Sequence, residues 1–127
     1  DPVREYVLST DAMLNREKLE GIFAILEGTC FVGHTHYPGV FDSKLRWTGL
    51  EGESTLRFPL QEDGPYVFNV GSVGQPRDGD NRACYAVLED DAVTWHRVPY
   101  DYRATMAKIT ATGVLGDVLA RRLAVGH

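Results

Sequence analysis

Nowhere in this chain do apolar residues run on for the roughly 20 positions that a membrane-spanning helix needs. No charged-then-apolar leader opens it either, so neither membrane insertion nor signal-directed secretion is expected. Cysteine is scarce. Cys30 and Cys84 both sit in apolar, strand-like stretches and read as buried free thiols of a reducing compartment, which points to the cytoplasm. Positive charge is scarce too: 13 Lys and Arg against 18 Asp and Glu leave a formal net charge of −5. That balance excludes a surface built to coat the phosphate backbone of a nucleic acid, while small anionic substrates stay open. Internal repeats, low-complexity tracts and interdomain linkers are lacking, and the turn-rich spacers Gln61-Glu62-Asp63-Gly64-Pro65 and Gln75 to Asn81 do not divide the chain. Residues 1–127 therefore read as one piece, no longer than a single domain.

What the chain does have is Gly33-His34-Thr35-His36, placed after the apolar run Cys30-Phe31-Val32 and before Tyr37-Pro38-Gly39. If the strand continues through the motif, its two-residue repeat puts both imidazoles on one side of the backbone. Two imidazoles side by side suit a metal ion. A glycine before them leaves room for an ion, and the Pro-Gly after them turns the chain away. The same spacing also describes two solvated loop histidines.

Periodicity predicts the elements around this motif. Leu19, Ile22, Phe23 and Leu26 fall on one helical face between Asn15, a candidate N-cap, and Glu27, with Gly28 as the stop. A buried strand should follow at 29–33, and hairpin strands at 40–42, 44–50 and 55–60, the last made an edge or a strand end by Pro59. Tyr66 to Ser72 reads as a strand breaking into a Gly-rich turn, and 82–89 with 92–99 as a hairpin around Asp90-Asp91. Tyr102, Thr105, Met106 and Ile109 keep helical spacing up to Gly113, and 117–124 form a second short helix closed by Gly126. Met106 and Tyr102 are expected in the core.

The order of helix, strand ending in Gly33-His34-Thr35-His36, hairpin strands, and then Asn69-Val70-Gly71-Ser72-Val73-Gly74-Gln75-Pro76-Arg77 resembles the calcineurin-like metallophosphoesterase superfamily. More narrowly, it is similar to the small bacterial and archaeal phosphodiesterase or diadenosine-tetraphosphatase-like members. The resemblance covers essentially the whole chain, but only the later part of the family pattern. The earlier Asp-x-His, Gly-Asp-x-x-Asp, Gly-Asn-His-Asp/Glu and His-Gly motifs do not occur, and the chain opens Asp1-Pro2-Val3-Arg4-Glu5-Tyr6 without a methionine. The expectation is therefore a mixed α/β chain forming the C-terminal half of a four-layer αββα sandwich. Its partner would be the missing N-terminal half, and alone it would expose apolar surface and strand edges that favour association.

For the intact protein the resemblance implies hydrolysis of phosphate esters at a two-metal centre. Two divalent ions roughly 3.5 to 4 Å apart activate a water and clamp the phosphoryl oxygens of an in-line displacement. By the same resemblance His34 would ligate one ion and His36 the other, and the ions would be Mn, Fe, Zn, Co or Ni. The family's catalytic acid lies in a motif absent here, so this chain carries none and would be inactive alone. Arg77 is a candidate phosphate ligand, or a loop arginine tied to Asp78 or Asp80. Tyr37 is a candidate for the substrate pocket, or a residue packed over its turn. Asn69, Gly71 and Ser72 are expected to shape a turn beneath the site, and His96 and His127 to lie at the surface. A non-catalytic phosphoesterase-fold interaction module is the alternative, and a cupin-like barrel fits less well because Tyr37 to Ser43 holds no glutamate.

Overall fold

Leu19 and Ile22, one helical turn apart, are both buried, and they fix the first helical layer. A computed structural model describes residues 6–61 and 64–127; Asp1 to Glu5, Glu62 and Asp63 lie outside the described residues. Among the described residues the chain is mixed α and β, with two sheets and four helices in the order α1 Asp11–Leu14, α2 Arg16–Phe23, β1 Cys30–Val32, β2 Gly39–Phe41, β3 Trp47–Gly49, β4 Thr55–Pro59, β5 Val67–Asn69, β6 Ala83–Leu88, β7 Ala92–Val98, α3 Tyr102–Ala111 and α4 Asp117–Val125. No helix among them is long and apolar enough to cross a membrane.

The first sheet runs β1-β5-β2-β3 and the second β4-β7-β6. In the first, β5 is central, parallel to β1 and antiparallel to β2. Alternation along β2 and β5 sends neighbouring side chains to opposite faces. Val40 and Phe68 point into a core shared with Cys84, Val93 and Trp95 of the second sheet, while Phe41 and Val67 point the other way onto Leu19 and Ile22. The first sheet is thus covered on both faces, by α2 and by the second sheet. β7 lies between β4 and β6, and Trp95 at its centre is fully buried.

Several local expectations need correction. Helix α2 ends at Phe23, four residues short of Glu27, because the next amides of Ile25 and Leu26 make tight bonds to Ile22 and Phe23 and the chain turns outward. Asn15 holds the N-cap position, but its side chain donates to Asp11 Oδ1 instead of receiving a helix amide. Strand β1 is an edge, so it is only half-buried and Phe31 is 42% exposed. Helix α3 has no buried residue, and Met106 and Tyr102 reach only partial cover. Unforeseen was α1, built around the fully buried Asp11, whose carboxylate accepts the Leu8 amide and lies 2.5 Å from Lys18 Nζ.

The hairpin at Asp90-Asp91 forms as expected, closed by the Glu89 amide on the Ala92 carbonyl. Pro59 ends β4, an edge strand, where its missing N–H costs no ladder bond. Helix α4 stops at Gly126, which takes φ 67° and packs so closely on the loop below that a Cβ would lie 2.7 Å from backbone atoms of Asp80. Gly126→Ala is expected to cost about 1–2 kcal/mol, from the left-handed backbone and the backbone clash together. Chemical denaturation checks this, and an undiminished midpoint would mean that the Asp80 loop gives way freely.

Candidate functional site

The histidine motif follows β1, but the strand does not continue through it. His34 and His36 have φ of 69° and 61°, the left-handed region that non-glycine residues seldom occupy. The two-residue strand repeat therefore cannot be what aligns the imidazoles. Both histidines nevertheless line one open pocket of about 440 Å³, walled by the start of the β5–β6 connection and by Cys84, Tyr85 and Ala86 of β6.

A buried bracket holds this strained loop. Asn69, at the end of β5 and 2% exposed, donates through Nδ2 to the Gly33 carbonyl at 3.1 Å and to Thr35 Oγ1 at 2.6 Å. Its Oδ1 accepts the Gly71 amide at 3.0 Å, and its carbonyl accepts the Trp95 indole N–H at 2.9 Å. Strain of this kind costs about 1 kcal/mol or more per residue and persists where surrounding contacts over-determine it. Asn69, Gly71 and Ser72 do shape the turn beneath the site, and Ser72 Oγ accepts the Gln75 amide at 3.0 Å.

His36 is oriented from the same segment. Its Nδ1 lies 2.7 Å from the Gln75 carbonyl oxygen. A carbonyl can only accept, so Nδ1 carries a proton, and in the neutral ring the lone pair lies on Nε2, the arrangement commonly seen around metal-bound imidazoles. His34 tilts against the Tyr6 ring, with centroids 4.2 Å apart. Cys84 adds a thiol to the pocket wall, and burial pushes it up to about 11, so it is protonated at neutral pH. No group of three or more His, Cys, Asp or Glu side chains suited to a metal ion occurs among the described residues.

The other candidates lie elsewhere. Arg77 does not line this pocket, and its partner is neither Asp78 nor Asp80: Nη2 donates to Gln75 Oε1 at 2.8 Å. Tyr37 turns towards Trp47, with centroids 6.3 Å apart, and borders a separate pocket of about 250 Å³ with Trp47 and Glu51. His96 is half-buried and stacks on Tyr85 at 5.2 Å, while His127 is exposed. Reading along the chain missed the ion cluster under this region. Arg97, with a fully buried side chain, pairs with Asp78 and lies 3.4 Å from Asp80, which Arg82 also holds at 2.6 Å. The available signal was the place of Arg97 two residues after Trp95, on the same face of the hairpin strand.

No protein-family model matches the chain. No solved structure matches it. Among curated proteins, the uncharacterized protein MJ0912 of Methanocaldococcus jannaschii is 39% identical over 99 residues, covering 76% of this chain and 39% of that protein. The chain thus spans well under half the length of this relative.

Proposed function

We propose that this chain is the later part of a calcineurin-like metallophosphoesterase, completing a four-layer αββα sandwich and supplying the last two histidine ligands of a two-metal centre that hydrolyses phosphate esters. One observation carries the reading: the two segments on which the resemblance rests are bonded to each other around one pocket. Asn69 brackets Gly33 and Thr35, and the Gln75 carbonyl fixes the tautomer of His36.

Imidazole nitrogens suit these ions. His36 is oriented through Nδ1 by a backbone acceptor, and His34 lines the same pocket. In this reading His34 binds one ion, His36 the other, and Asn69 keeps the left-handed loop from relaxing. Bound divalent ions would supply Lewis acidity and an activated water. The remaining ligands and the catalytic acid come from the earlier part of the protein, and substrate identity is set there too.

The test uses the natural polypeptide that carries this sequence, loaded with Mn²⁺. Metal content and hydrolysis of bis(4-nitrophenyl) phosphate are measured for wild type, His34→Ala and His36→Ala. Each variant is expected to bind less metal and to lose about 100-fold or more in rate, beyond the effect usual for outer-shell substitutions. Unchanged metal content in both variants would reject the reading. A protein that binds no metal with every histidine in place would favour the non-catalytic interaction module.

A further inference from the structure

Trp47 on β3 lies against the backbone of two glycines. Gly39 and Gly49 are register partners in β2 and β3, and a Cβ on either would meet the indole, at 2.3 Å from Cζ2 for Gly39 and 2.9 Å from Nε1 for Gly49. Phe41 packs on the same indole with centroids 4.8 Å apart, so the ring is fixed before any ligand arrives. Tyr37, two residues before Gly39, meets it at 6.3 Å with the ring planes 54° apart. Rings tilted in this way form a wedge instead of a stack, and both line the pocket of about 250 Å³. Among the described residues the cation lying over an aromatic ring is Arg103 on Tyr102, so no lysine or arginine of theirs fills the wedge.

Two acidic residues complete the pocket, and among the described residues no lysine, arginine or histidine lines it. Glu51 sits in the turn from Leu50 to Glu53, closed by the Glu53 amide on the Leu50 carbonyl at 2.8 Å. Glu51 and Gly52 have φ of 45° and 86°, positive at both central positions as in a type I′ turn, where asparagine, aspartate or glycine is the usual first residue. A glutamate there is strained, and its carboxylate enters no ion pair among the described residues. Asp78 has a side chain only 8% exposed. Its Oδ2 goes to Arg97, while Oδ1 is buried with no hydrogen-bond donor among the described residues. A buried polar atom without a partner is an exception that asks for a cause, and a missing ligand N–H is one.

We propose that this pocket binds a small primary ammonium ion, its charged nitrogen held between the Tyr37 and Trp47 rings and by the carboxylates of Glu51 and Asp78. Each part of the lining argues for that class. Aromatic faces attract cations within about 6 Å of the ring centroid, and centroids 6.3 Å apart let one nitrogen reach both. Two carboxylates repel anions. Hard metal cations need more oxygen ligands than these and gain nothing from an indole, and a quaternary ammonium has no N–H for Asp78 Oδ1. The volume falls below the roughly 300–1,000 Å³ of drug-size ligand pockets, so the ion is small. None of these residues lines the pocket of His34 and His36, so the proposal stands apart from the metal reading.

Ligand-detected NMR titration of the natural polypeptide with n-butylammonium chloride at low ionic strength tests this, with 1-butanol as the uncharged control of similar size. Saturable binding is expected with a Kd of about 1 mM or lower, at least about tenfold tighter than for 1-butanol. Glu51→Gln takes one charge from an exposed turn and should weaken the amine about threefold or more. Tyr37→Leu should weaken it about threefold or more, while Tyr37→Phe keeps the ring and should bind as wild type, a contrast that loss of folding does not produce. No saturation by about 50 mM overturns the proposal. So does equal binding of 1-butanol, which would make the pocket an apolar niche. Amine affinity unchanged in both Glu51→Gln and Tyr37→Leu also overturns it, by placing the amine elsewhere.

Discussion

Trp95→Ala is expected to remove about 4 kcal/mol or more of folding stability, the largest effect of any single truncation in this chain. Trp95 is fully buried where the two sheets meet, its ring centroid 5.4 Å from that of Phe68. Removing the indole leaves a cavity that Phe68, Val93 and Tyr66 cannot close without breaking strand register. The second cost is polar. The Trp95 N–H satisfies the carbonyl of Asn69, and an acceptor left buried and unpaired costs about 1–3 kcal/mol. Trp95→Phe separates the two contributions, since it keeps most of the ring volume and loses the donor. Chemical denaturation of both variants should rank wild type above Trp95→Phe and Trp95→Phe above Trp95→Ala. A loss below about 1 kcal/mol in Trp95→Ala would mean that the intersheet core repacks around the gap. Because the same carbonyl belongs to the residue that brackets Gly33 and Thr35, Trp95→Phe should also loosen the histidine loop while the fold persists.

Arg97→Met should cost about 3–5 kcal/mol, because it strands the buried Asp78 carboxylate and leaves Asp80 to Arg82 alone. Asp78 and Asp80 have side chains 8% and 16% exposed, and the Arg97 guanidinium lies between them. Replacing both partners is a different experiment from replacing one. Arg97→Met with Asp78→Asn removes the stranded charge as well as the cation, so the double variant should recover much of the loss. A double variant as unstable as the single one would show that the guanidinium matters through its packing.

Acid provides a second check. The hydrogen bond from Arg82 holds the Asp80 carboxyl below its ordinary value against the opposing effect of burial, and the Arg97 charge lowers it further. A carboxyl depressed in the folded state contributes stability that is fully present above its unfolded pKa and is lost as pH falls through the folded one. Wild type should therefore weaken below about pH 4. Without Arg97 the depression is smaller, so the gap between Arg97→Met and wild type should narrow over that range.

Elements made of contacts between near neighbours were legible along the chain. The Asp90-Asp91 hairpin, the Pro59 strand end, the Gly126 stop and the buried Leu19 and Ile22 of α2 each depend on backbone preference or a short periodicity, and each was found where those rules put it. The same rules failed where a longer-range partner decided the outcome. Helical spacing at Met106 and Ile109 marks an amphipathic face, but no rule of spacing says that α3 will find only partial cover. An apolar run marks β1 as a strand, but the absence of a second neighbour leaves it an edge.

The candidate site divides in the same way. The residue types were set by sequence alone: two histidines two apart after an apolar strand, and an Asn-to-Arg turn further on. Their geometry was not. Strand periodicity would have aligned the imidazoles by local repeat, whereas the loop is left-handed at both positions and is held by Asn69 and Gln75. Likewise the chain offers Arg77 either a phosphate or the aspartates beside it, while in the fold it bonds Gln75 and Asp78 goes to Arg97. Sequence by itself determined which elements form and which chemistry-bearing residues exist, since those follow from local backbone preferences. Only the tertiary structure decided where the imidazoles point, which carboxylates are buried and which strand edges stay open, because each depends on a partner that folding brings from far along the chain.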